Sequence, residues 1–141
     1  MLAIVYSVLS YLLFLAVFAY FALFSDGVFV PRSVDVGVPT ELGWALLINL
    51  ALLLLWGLQH SVMARAGFKR AIVRLVPAHV ERAPYVLVSS LTLALLMWQW
   101  RPIGGALWRV ESDSAVVVLW LLNAAGWLSA ALCTFMICLL Y

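Results

Sequence analysis

Two histidines, a glutamate and a run of basic residues could together move a proton and hold an anion. This chain gathers such groups in one stretch, "LQHSVMARAGFKRAIVRLVPAHVERAPY", residues 58–85. The stretch holds both histidines, His60 and His79, and five of the eight basic residues, Arg65, Lys69, Arg70, Arg74 and Arg82. Trp56 lies one helical turn before His60 and Asn49 three turns before it, so Asn49, Trp56 and His60 share one helix face. Histidine is the side chain suited to accepting or passing a proton near neutral pH, which makes His60 the catalytic candidate. The plainer reading is a histidine bonded to a neighbouring helix or a lipid headgroup. Arg65, Lys69, Arg70, Glu81 and Arg82 are candidates for contact with a substrate or anion. Their plainer reading is a set of charges among anionic headgroups, with Arg82 snorkelling at a helix entrance. Glu81 and Arg82 would point about 100° apart on a helix, so they need not pair with each other.

The elements that must position these residues follow from composition. The chain has 141 residues, 67% of them hydrophobic and 10% charged. A soluble domain of this size could not bury that much apolar surface. No Asp, Glu, Lys or Arg occurs in 1–25, 42–64, 83–100 or 114–141. A helix needs about 20 apolar residues to cross the hydrocarbon. The expected fold is therefore all-α: a four-helix transmembrane bundle, one membrane domain over 1–141, with spans near 2–24, 44–63, 83–100 and 116–140. The first segment lacks a basic leader and a good cleavage site after its long apolar run, so it is read as a retained helix.

Between the second and third spans, Phe68, Ala71, Ile72 and Leu75 fall on one helical face, opposite Arg65, Lys69, Arg70 and Arg74. A short amphipathic helix is expected over 64–80, stopped by Pro77. Basic residues are concentrated in loop 64–82, so the positive-inside rule places that loop, and with four spans both termini, in the cytoplasm. Trp44, Trp98, Trp100 and Trp120 then fall toward the outer interface as an aromatic belt.

Other polar positions read as structural. Ser89, Thr92 and Gln99 make a weakly polar face, and Gly126 and Ala130 allow close helix contact. Gly104-Gly105 is a turn. Cys133 and Cys138 would lie about 140° apart around a helix, unsuited to a disulfide, and no metal-ligand spacing occurs. A net charge of +2 gives no nucleic-acid footprint. Ion transport lacks paired intramembrane charges or repeats.

The runs "QHSVMARAGFKR", "VPAHVERAPYVLVSSL" and "WQWRPIGG" resemble the N-terminal half of membrane methanethiol S-methyltransferases. That set is related to a membrane family associated with nitric oxide reduction and, distantly, to isoprenylcysteine carboxyl methyltransferases. The resemblance is clearest over about 59–105. It implies transfer of a methyl group from S-adenosylmethionine to a small thiol, methanethiol giving dimethyl sulfide, by in-line displacement on a sulfonium carbon. Such a step needs an oriented thiolate and exclusion of water. His60, Arg65, Lys69, Arg70, Glu81 and Arg82 match the family's N-terminal pattern. The family's cofactor-binding part, with an Arg-His-Pro-type motif and a following tyrosine, lies in the C-terminal half and has no counterpart here; "RAPY" at 82–85 sits in the other half. The resemblance therefore implies a truncated homologue, a frameshifted product or a fragment, placed in a bacterial inner membrane. Its expected partners are the bilayer, a small thiol, and a second copy or partner subunit. The competing expectations are a non-catalytic accessory membrane protein and an inactive product.

Overall fold

The computed structural model describes residues 2–72, 82–105 and 110–140, and among them there is no strand. Among the described residues five helices follow one another: α1 (Leu2–Asp26), α2 (Leu42–Met63), α3 (Ala66–Ile72), α4 (Arg82–Gln99) and α5 (Asp113–Leu140). They fall into two compact units, 1–104 and 105–141.

Three helices are long and apolar enough to cross a membrane: Ala3–Asp26 of α1, Leu42–Met63, and Asp113–Met136 of α5. The expected count was four. The span expected over 83–100 is α4, an 18-residue helix that carries Arg82, Pro84, Ser89, Ser90, Thr92 and Gln99. Those groups take it below what length and apolarity alone demand of a lipid-facing helix. The reason is its position. α4 packs against both α1 and α2, whereas α1 and α2 turn long rows of leucine and valine outward. A helix enclosed by two others can carry polar groups that a helix facing lipid cannot.

The buried core of the first unit is small. Val17 and Phe24 of α1 meet Leu96 and Met97 of α4, with Leu52 and Trp56 of α2 packed alongside. Much of the closest packing uses small residues: Ser10, Ala45, Ala83 and Ser90 are all buried. Helices in lipid gain no hydrophobic force from one another, so association depends on this close approach and on hydrogen bonds. The hydroxyls are kept inside the helices that carry them. Ser10 Oγ donates to the Tyr6 carbonyl (2.8 Å) and Ser90 Oγ to that of Val86 (2.7 Å).

α1 ends at Gly27, whose φ of 68° is the left-handed conformation that closes a helix, and the Val28 amide reaches back to the Leu23 carbonyl (3.2 Å). The segment 27–41 then folds against the end of α4. Ser33 Oγ accepts from the amides of Asp35 (3.2 Å) and Val36 (3.1 Å), and Trp100 Nε1 donates to the Val34 carbonyl (3.1 Å). The Trp100 ring meets Phe24 edge-on at 6.5 Å. Gly37 packs closely here: a Cβ would lie 3.0 Å from the Pro102 ring, which would have to give by a few tenths of an ångström.

α3 occupies part of the segment where an amphipathic helix was expected over 64–80, but it is shorter. It spans Ala66–Ile72, with Ala64 and Arg65 in the preceding turn. Phe68 and Ile72 are half-buried and Arg70 is exposed. The remainder of that expectation, including Leu75 and Pro77, lies outside the described residues.

The second unit consists of α5 and the residues leading into it. Asp113 opens the helix, where a carboxylate favours the N-terminal end of the helix dipole. Ser129 and Thr134 return their hydroxyls to the carbonyls of Ala125 (2.7 Å) and Ala130 (2.8 Å). None of the span within α5 is buried within the unit, and the span is largely apolar. Cys133 is a free, exposed thiol.

Candidate functional site

α4 runs antiparallel to α2 and is tied to it at both ends, and those ties place the candidate residues. At one end, buried Asn49 bridges the chain just past α4: its Nδ2 donates to the Arg101 carbonyl (2.7 Å) and its Oδ1 accepts from the Arg101 amide (2.9 Å). The expected Asn49, Trp56 and His60 face does turn toward α4 or the core, as the cost of polar groups in lipid requires. Its members do different things. Asn49 satisfies backbone, roughly 16 Å along the helix from His60.

At the other end, His60 meets Tyr85 of α4. The Tyr85 hydroxyl lies 3.0 Å from His60 Nε2 and 3.2 Å from Nδ1, within reach of either nitrogen and able to serve one at a time. The phenol donates to a bare ring nitrogen or accepts from a protonated one. On the other side Trp56 stacks on the imidazole, with centroids 5.1 Å apart and planes 27° apart. The ring is thus held from two directions, while its nitrogens keep a partner that can exchange a proton. The Trp56 indole N–H is itself buried and has no acceptor among the described residues.

One turn along, the seam is closed by a polar cluster. Gln59 Nε2 donates to Ser89 Oγ (3.2 Å) and approaches Met63 Sδ (2.9 Å). The Thr92 hydroxyl, with one hydrogen, lies 3.0 Å from Gln59 Oε1 and 2.9 Å from the Val88 carbonyl, and serves one at a time. In lipid such interhelical bonds contribute about 0.6–2 kcal/mol each.

Of the other sequence candidates, two described ones stay outside this cluster. Arg65 and Arg70 are exposed, and neither contacts His60. Arg82 opens α4 and is half-buried. Glu81, with Arg74 and His79, lies outside the described residues, as does the side chain of Lys69. Tyr85 was not among the sequence candidates. Its signal was available: His60 sits near the end of one helix and Tyr85 near the start of its antiparallel neighbour, which puts them at equal depth. Ser89 and Thr92 were read as packing groups and do pack, against Gln59. Gln99 turns elsewhere, accepting from Arg101 Nη2 (3.2 Å). Among the described residues no cluster of His, Cys, Asp and Glu could hold a metal.

The α2–α4 seam by itself offers S-adenosylmethionine no set of free polar groups. A nucleoside sulfonium with an amino-acid tail needs free acceptors for its ribose and ammonium and donors for its carboxylate. In this seam the hydroxyls and the amide are engaged with one another or with backbone.

No protein-family model matches the chain, and no solved structure matches it. Curated relatives do. A methanethiol S-methyltransferase of Mycobacterium tuberculosis is 46% identical over 136 residues, which is 96% of this chain and 56% of that protein. Methanethiol S-methyltransferase 2 of Bradyrhizobium diazoefficiens is 46% identical over 125 residues, 89% of this chain and 47% of its own length. A more distant match is nurim of Xenopus laevis, 40% identical over 68 residues, 47% of this chain and 24% of nurim. The chain spans about half the length of the methanethiol S-methyltransferases it matches. By sequence, then, the chain is similar to about half of a methanethiol S-methyltransferase.

Proposed function

We propose that this chain forms the thiol-handling part of a membrane methyltransferase, one that methylates a small thiol such as methanethiol with S-adenosylmethionine as donor. The observation that carries the reading is the His60–Tyr85 pair, a proton-exchanging couple in the seam between two helices of a chain whose relatives are named for thiol methylation. His60 takes the proton from the thiol and leaves the sulfur anionic; a bound sulfonium donor would supply the methyl carbon, its own S–C bond breaking as the new one forms and the rest leaving as a neutral thioether. Tyr85 and the Trp56 stack keep the imidazole in one plane. The surrounding apolar helices keep bulk water from the thiolate, which strengthens every charge interaction at the site. The donor supplies the methyl group, and its binding residues are not assigned to this chain.

The membrane arrangement that suits this reading has four crossings. α4 is bonded to α2 at Asn49–Arg101 and at His60–Tyr85, so it covers nearly the same depth as α2 despite its polar content. Loop 64–82 and both termini then face the cytoplasm of a bacterial inner membrane, with α3 at the interface. Arg65 and Arg70 lie on the same side as His60, where they favour anions approaching the site over a Debye length of roughly 8 Å.

The test is methyl transfer from isotope-labelled S-adenosylmethionine to methanethiol in membranes containing only this chain. Labelled dimethyl sulfide above an empty-membrane control is the expected product. Its absence, with the chain inserted and folded, contradicts activity of this chain alone and favours a non-catalytic membrane protein or one dependent on a partner subunit.

A further inference from the structure

A second site lies away from His60, where α1, α4 and the 27–41 segment meet. An open groove of about 340 Å³ runs along the α1–α4 seam. Its deeper wall is made by Ala16, Val17 and Tyr20 of α1 with Ala94 and Met97 of α4, and Arg32 and Trp98 stand at its outer end. The polarity of the groove is graded. Trp98 is one turn beyond Ala94, about 6 Å nearer the end of the helix. Arg32 sits there because one Nη donates to the Trp98 carbonyl, one of the free carbonyls that end α4. A guanidinium has five donors, and no carboxylate among the described residues pairs with this one. Further in, the Tyr20 hydroxyl has no partner among the described residues. The innermost wall offers only aliphatic and thioether surface.

We propose that this groove binds one bilayer phospholipid with an anionic headgroup. The phosphate meets Arg32, the ester region lies beside Tyr20, and an acyl chain follows Ala16, Val17 and Ala94. The graded order of cation, hydroxyl and apolar wall matches the order of groups along such a lipid. α1 is one of the helices apolar enough to span, so its seam with α4 is open to acyl chains. The unneutralised arginine forms a charge-assisted pair with the phosphate and favours an anionic lipid over a zwitterionic one, whose choline ammonium beside the same phosphate repels the guanidinium. The small Ala16 and Ala94 side chains keep the groove open. The site is independent of the methyltransferase reading, and neither depends on the other.

The test is native mass spectrometry of the chain released from nanodiscs of equal phosphatidylcholine and phosphatidylglycerol. The wild-type chain is expected to retain a single phosphatidylglycerol, severalfold over phosphatidylcholine. Ala16→Phe, which fills the groove without touching the arginine, and Arg32→Gln should each abolish that preference. Glu111→Gln, a change at an exposed charge elsewhere, should leave it intact. Equal retention of the two lipids by the wild type overturns the proposal, and that comparison needs no variant to fold. Unchanged retention in Ala16→Phe overturns it as well.

Discussion

The two ends of the α2–α4 seam use similar polar material for different ends. At the Asn49 end every bond of the side chain goes to backbone: one asparagine amide satisfies both the N–H and the C=O of Arg101. Trp100 and Arg32 likewise bond main-chain carbonyls. At the His60 end the bonds run from side chain to side chain, between groups that can exchange a proton, and an indole N–H has no acceptor among the described residues. Backbone-directed polar groups in lipid fix the path of the chain. Groups directed at one another, with capacity left over, are where a substrate can be handled.

Substitutions sharpen this contrast. His60→Ala should cost the most, lowering thiol methylation by about 10²–10⁴-fold, the usual worth of a positioned acid–base group. Its folded fraction in detergent should stay close to that of the wild type. Asn49→Leu should do the reverse. It strands a buried N–H and a buried C=O, so unfolding in detergent should show a loss of roughly 2–4 kcal/mol, while turnover per folded molecule holds. Tyr85→Phe removes the phenol that orients His60 and keeps the ring. It should lower turnover by roughly tenfold, equivalent to about 1.4 kcal/mol, with little change in thiol affinity. Thr92→Val, which deletes one donor to Gln59, should cost about 0.6–1.7 kcal/mol of stability and leave turnover unchanged.

The sequence makes much of this legible. Gaps in charge locate α1, α2, α4 and α5 to within about three residues at each end. Helical periodicity puts Asn49, Trp56 and His60 on one inward face. What it leaves open is what each residue meets there. Tyr85 escapes because its importance depends on the depth at which two helices pair, and periodicity within one helix carries no such information. The basic run reads as one candidate group, yet Arg65 and Arg70 stay exposed at the helix boundary while His60 turns into the seam. The polarity of α4 is a direct reflection of its place between α1 and α2, which a single-helix measure of apolarity cannot register.

The most direct test compares the two ends in one experiment: turnover of methanethiol per folded molecule, alongside unfolding free energy, for His60→Ala and Asn49→Leu in the same membranes. The account predicts that His60→Ala loses turnover and keeps its stability, while Asn49→Leu loses stability and keeps its turnover. If both variants lose turnover only in proportion to their folded fraction, His60 is a packing residue and the division between the two ends of the seam is contradicted.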